Sequence, residues 1–290
     1  MKKLAIALVP LLVLLCGRTK QAPAPQITAT SLPVYEFTQA LCDGTPLTVG
    51  RLITQSVSCL HDYSLNVDQV KQAEGAETIV ISGGGLEEFM EDILDPAKTI
   101  DASSGIALLE GEEHHHDGEE GHEGHEHDPH FWLDPQNAAI MARNICEGLS
   151  QRYPQYSSQF GENLSPLLER LSELDTYGTE TLKNLSCRKL ITFHDGFAYF
   201  AQAFDLEILA AVEEESGSEA SAKDLIQLIR LVRSNDLPAI FVEKNGSSAA
   251  AKIICAETGT KTFTLDMAMA GDSYFEAMYD NLNAIKEALQ

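Results

Sequence analysis

The sequence predicts an α/β protein of two lobes, each with a mostly parallel four-stranded sheet flanked by helices, connected by one long helix. Three observations carry this expectation. Short apolar runs alternate with helical periodicity through most of the chain. Four strand-like runs occur on each side of the middle. Between the halves, Leu164, Leu167, Leu168, Leu171, Leu174 and Leu182 recur at helical steps among charges, which predicts a helix from about Gln155 to Leu185. That helix is read as a connector, outside either core.

The first half offers strands at Ile27–Thr30, Leu47–Ile53, Thr78–Ser82 and Lys98–Asp101, with helices at Pro33–Leu41, Val67–Glu74 and Leu86–Ile93. Ser82-Gly83-Gly84-Gly85 lacks the spacing of a phosphate loop and is read as a strand-to-helix turn. Pro135–Leu149 forms a helix that starts just after Asp134. The second half offers strands at Lys189–Phe193, Glu207–Val212, Ala239–Glu243 and Lys261–Leu265. Its helices are Gly196–Ala203, Ala222–Ser234, Ser247–Thr258 and Ser273–Leu289, with Ser221 and Ser247 as N-caps and 213–220 as a polar loop.

The N-terminus carries Lys2 and Lys3, an apolar run from Leu4 to Leu15, and then Cys16. Residues 1–16 therefore read as a secretory signal with a lipobox, Cys16 being the acylated residue. Residues 17–26 form a Pro-containing polar tether. Export permits disulfides. Cys42 with Cys59, and Cys187 with Cys255, are the expected pairs, and reduced buried thiols are the alternative. A formal charge of −24 argues against nucleic acid and anionic membrane surfaces as partners and suits attraction of cations.

Seven of the nine histidines fall between Glu112 and His130 (EEHHHDGEEGHEGHEHDPH), with no apolar residue before the closing Pro-His. Such a stretch gathers cations and cannot build a core. Within it His114, His115, His116, His122, His125 and His127 are read as weak, accessory metal sites. His61, His130, His194 and Asp266 stand where a parallel α/β sheet binds ligands, beyond or after strand ends. Three imidazoles and a carboxylate suit a tetrahedral Zn²⁺. Singly, each has a plainer reading: His61 as a surface or capping residue, His194 with Asp195 as a dyad, Asp266 as a helix cap.

Four ordered segments carry a resemblance: LHDYSLNVDQVKQAEGAETIVISGGGLEEFM (60–90), DPHFWLDPQNA (128–138), TFHDGFAYFAQAFDL (192–206) and the stretch from 240 to 289 that includes LD and GDSY. With these the chain resembles the zinc and manganese receptors of bacterial ABC importers. The match covers nearly everything after residue 26. Met267 departs from the proline that often follows the aspartate there. The resemblance implies a metal-binding N-terminal lobe at 27–154 with its His-rich loop at 112–127, a rigid linker helix at 155–185, and a metal-binding C-terminal lobe at 186–290. It maps metal ligation onto His61, His130, His194 and Asp266 at the cleft.

The expected function is capture of Zn²⁺ outside the cytoplasm and delivery to an ABC permease. The carrier is expected to be a monomer held to the membrane by a lipid anchor, or periplasmic where the cell has an outer membrane. Imidazole-rich ligation favours Zn²⁺ over Mn²⁺. A Mn²⁺ receptor of the same type and a metal-containing surface adhesin are the alternatives. Catalysis is not expected, because four protein ligands leave no position for a reactive water and no HExxH motif is present.

Overall fold

The computed structural model describes residues 24–55, 60, 63–111, 127–213, 220–244, 246 and 248–290. The first lobe runs β1 (Ile27–Ala29), α1 (Leu32–Leu41), β2 (Val49–Arg51), α2 (Val67–Gly75), β3 (Thr78–Ile81) and β4 (Thr99–Asp101). Its four strands are parallel in the order β2-β1-β3-β4. α1 begins with Pro33 in its first turn, where a missing N–H costs nothing. α2 starts from a capping box between Asn66 and Gln69. Leu86–Ile93, expected as a helix, is instead a 3-10 turn at Glu88–Ile93. Only Met90 in it is buried, so too few apolar anchors are present to support a longer α-helix.

α3 (Pro135–Arg152) is capped by Asp134, whose carboxylate accepts Gln136 N–H at 2.7 Å. A 3-10 turn at Pro154–Tyr156 leads into α4 (Ser157–Leu182), which is 26 residues long. The second lobe follows as β5 (Lys189–His194), α5 (Ala198–Ala203), β6 (Glu207–Glu213), α6 (Ala222–Ser234), β7 (Ala239–Glu243), α7 (Ala249–Thr258), β8 (Lys261–Leu265) and α8 (Tyr274–Leu289). Its strands are also parallel, in the order β6-β5-β7-β8. Ser221 caps α6 as expected. Ser247 lies outside the described residues, and α7 starts after Ser248.

Two expectations need correction. α4 is more than a connector: Phe160, Leu167, Leu171, Leu174 and Leu182 are buried in one apolar cluster that continues into both lobes. The leucine stripe that predicts the helix is the stripe it buries, and α4 packs against α1, α3 and α8. Cys187 and Cys255 are free thiols, not a disulfide, although both pack against the smaller apolar cluster on the other face of the second sheet. Sharing a cluster does not set the bond geometry a disulfide needs. Cys42 is a buried free thiol, and Cys59 lies outside the described residues. Among the described residues no helix is long and apolar enough to cross a membrane.

The lobes are fastened along the segment after β8. Leu32 N–H donates to Met269 O at 3.0 Å. The Arg51 guanidinium donates to Gly271 O at 2.7 Å, and Glu36 accepts Tyr274 N–H at 2.6 Å. Three fasteners from β2 and α1 onto the loop after β8 and the start of α8 leave little freedom for hinge rotation between the sheets.

Candidate metal centre

The acidic His-rich segment leaves and rejoins the first lobe at a pinched neck. Glu110 and His127 form an antiparallel bridge, and Asp128 N–H donates to Leu109 O at 3.0 Å. The Tyr199 hydroxyl reaches across from α5, accepting Leu109 N–H at 2.7 Å and donating to Asp128 O at 2.9 Å. His127 is thus held in the neck, while His114, His115, His116, His122 and His125 lie outside the described residues.

Just past the neck, one oxygen of Asp128 accepts the His130 backbone N–H at 2.8 Å and stands 2.8 Å from His130 Nδ1. That contact fixes the tautomer with the proton on Nδ1, so Nε2 is the nitrogen that presents a lone pair. Burial pulls the Asp128 carboxyl upward. The hydrogen bond and charge of His130, with the charge of His194 behind them, outweigh burial and hold it below the usual carboxylate range. His130 is buried, as are Phe131, Trp132 and Leu133 in the 3-10 turn that follows. Trp132 Nε1–H donates to Met267 O at 2.8 Å, and the Tyr274 hydroxyl donates to Trp132 O at 2.8 Å. The turn carrying His130 is therefore tied to the loop after β8.

His194 is the last residue of β5 and is also buried. Its ring stands edge-on to that of His130, with centroids 5.2 Å apart and planes at 87°. The Nε2 atoms of both rings are buried. Gly196 closes one side: a Cβ there would lie 2.6 Å from Met267 Cε, 2.9 Å from His194 Cδ2 and 3.0 Å from His130 Nδ1. Glycine at this position lets the backbone approach both imidazoles.

Asp266 directly follows β8. Asn281 holds its backbone from both sides, at 2.7 Å each way. One carboxylate oxygen accepts Ala268 N–H at 2.9 Å, and the other is paired with Lys244 Nζ at 2.9 Å. Ala268 takes a left-handed φ of 53° to make this tight turn. His61 lies outside the described residues. Tyr63, two residues on, packs on Phe89 with centroids 5.4 Å apart and accepts Gln69 Nε2–H at 2.7 Å. Of the four expected ligands, two stand in direct ring contact, one is turned to a lysine, and one is not described. Among the described residues no three His, Cys, Asp or Glu side chains converge to hold a metal ion.

Sequence reasoning missed Asp128, Gly196, Trp132 and Lys244 as contributors. Only Asp128 had a local signal, a carboxylate two residues before a histidine and able to reach its ring.

A pair of parallel βα lobes, fastened at one loop and presenting a histidine from each lobe at their junction, defines the class of two-lobed solute-binding proteins. The chain belongs to the family described as ZnuA, zinc-uptake complex component A, periplasmic, whose profile matches residues 27–288. The zinc-binding lipoprotein AdcA of Streptococcus pneumoniae is 33% identical over 308 aligned positions, covering 99% of this chain and 61% of that protein. The zinc-binding protein AdcA of Streptococcus pyogenes serotype M1 is 30% identical, covering 90% of this chain and 55% of that protein. The chain thus spans roughly three-fifths of the length of these curated relatives. Among solved structures, ZnuA superposes with a TM-score of 0.78 at 28% identity, covering 92% of this chain and 100% of that one. The zinc-bound ZnuA-like domain of Streptococcus pneumoniae AdcA gives 0.76 at 29% identity, covering 91% and 98%.

Proposed function

We propose that this chain is an extracytoplasmic Zn²⁺ receptor that delivers its cargo to the permease of an ABC importer. One observation carries the reading: two buried imidazoles, one from each lobe, meet at the junction of the sheets, and Asp128 fixes the tautomer of one. The zinc-binding relatives and the family description support the same reading. Zinc is the cargo, held by His61, His130, His194 and Asp266. Imidazole suits this borderline-soft ion, and nitrogen ligation disfavours the harder Mn²⁺. Four protein ligands close the coordination sphere, so the site carries the ion and does no chemistry on it.

The remaining assignments belong to the same proposal. Residues 1–16 direct export, Cys16 carries the lipid anchor and 17–26 form the tether. The histidines at 114–127 collect zinc weakly beside the tight site. Fastened lobes imply release by local movement of the loops at the centre, prompted by contact with the permease.

The test is a competitive chelator titration of the metal-stripped chain. One tight zinc site is expected on an already folded protein. His130→Ala and His194→Ala should each weaken it by roughly a hundredfold or more, beyond the 10–100-fold typical of an outer-shell change. Zinc affinity preserved in both variants would overturn the assignment. Unfolding on metal removal would make the site structural instead of a carrier's.

A further inference from the structure

β7 and β8 are adjacent, and the residues that leave them, Lys244 and Asp266, stand side by side. The register is locked there: Lys244 N–H donates to Leu265 O at 2.9 Å. Lys244 Nζ then reaches Asp266 at 2.9 Å. The second oxygen of Asp266 is taken by Ala268 N–H. The carboxylate expected to meet the cargo is therefore engaged on both oxygens.

We propose that Lys244 is a built-in competitor for Asp266, which weakens cargo binding at the centre and does so more for a hard cation than for zinc. The proposal rests on the reading of Asp266 as a ligand. An incoming divalent ion meets a paired carboxylate and a positive charge beside it. It gains Asp266 only when the ammonium swings away. The geometry allows that exchange: the Lys244 side chain is 62% exposed and flexible, whereas that of Asp266 is 16% exposed and pinned at its backbone. The competition is selective. The imidazoles supply most of the zinc affinity, while Mn²⁺ draws more of its affinity from oxygen ligands. Tying up the oxygen ligand therefore disfavours Mn²⁺ more.

The test compares Zn²⁺ and Mn²⁺ affinities, by chelator competition, and the zinc release rate, for the full metal-stripped chain and four variants. Lys244→Gln should bind zinc roughly three- to tenfold tighter and release it more slowly, the size expected for removing a partly exposed ion pair and a nearby like charge. Its gain for Mn²⁺ should be larger. Lys244→Arg should stay near the parent. In the Asp266→Asn background, Lys244→Gln should give a clearly smaller gain, since only the like charge is then removed. A merely structural lysine would not raise affinity when removed. Unchanged or weaker zinc binding by Lys244→Gln, alongside a clear loss in Asp266→Asn, would overturn the competitor role alone. No loss in Asp266→Asn would instead remove Asp266 from the ligand set, and the proposal with it.

Discussion

Replacing Asp128 by alanine tests how the centre is held together. Its carboxylate oxygen accepts both the backbone N–H and the Nδ1–H of His130, each at 2.8 Å. Alanine removes both acceptors and leaves a buried ring N–H without its partner. Losing a charge-assisted hydrogen bond of this kind costs about 1.5–3 kcal/mol. If that loss falls on the metal-bound state, zinc affinity drops roughly 10–100-fold, the range seen for partners of ligating histidines. Asparagine keeps the shape and one acceptor without the charge, so its loss should be a few-fold. The assay is chelator competition at neutral pH, paired with thermal melts of the metal-free proteins. The metal-free melts should fall by several degrees at most and stay cooperative, because the lost hydrogen bonds are local and Tyr199 contacts only the backbone carbonyl of Asp128. Parent-like affinity in Asp128→Ala with weak binding in His130→Ala would refute the orienting role. The ring would then be held by its packing on Trp132 and His194, at 5.3 Å and 5.2 Å. Parent-like affinity in both variants would refute His130 as a ligand.

Gly196→Ala should weaken zinc by about tenfold or more while melting changes little. Met267 Cε can move aside, but the two imidazoles cannot shift without leaving the positions proposed for ligation; unchanged affinity would show that the backbone there has slack. Replacing residues 112–126 by two glycines should leave the tight site intact and abolish weak ones. The graft gives a three-residue connection between the bridge partners Glu110 and His127, a length a hairpin accepts, and loss of the tight site would mean the loop contributes a ligand. Burial pushes the Glu87 carboxyl up to about 7, against the pull of donors from Thr30, Gly83 and Ser82. Its folded value lies above the ordinary 4.5, so the native state binds more protons between those values. Stability should fall as pH rises from about 4.5 to 7, by an amount on the order of 3 kcal/mol. Denaturant unfolding at pH 5 and 8 should show a flatter profile for Glu87→Gln, and an identical difference in both proteins would remove Glu87 as the cause.

What could be read from the chain was set by the range of the interaction. The strands and most helices follow from periods of two and 3.6 and from local caps, so Asn66 with Gln69 and Asp134 with Gln136 mark helix starts within three residues. The placement of His194 at a strand end was legible, since it ends β5, the strand expected at Lys189–Phe193. The fasteners were not. Trp132 meets Met267 across 135 positions, and no local pattern foretells that contact. The buried face of α4 misled for a related reason: a leucine stripe predicts a helix, but only the packed structure shows that one stripe serves both lobes. Lys244 and Asp266 lie between these extremes. They are 22 residues apart, and each follows a predicted strand. Had the order β6-β5-β7-β8 been known, their adjacency would have followed at once, since parallel neighbours bring the residues after their carboxyl ends together. Strand order is the missing step between a list of candidate ligands and their affinities. It decides which charge stands beside each ligand, and here it puts an ammonium on the one carboxylate among the four.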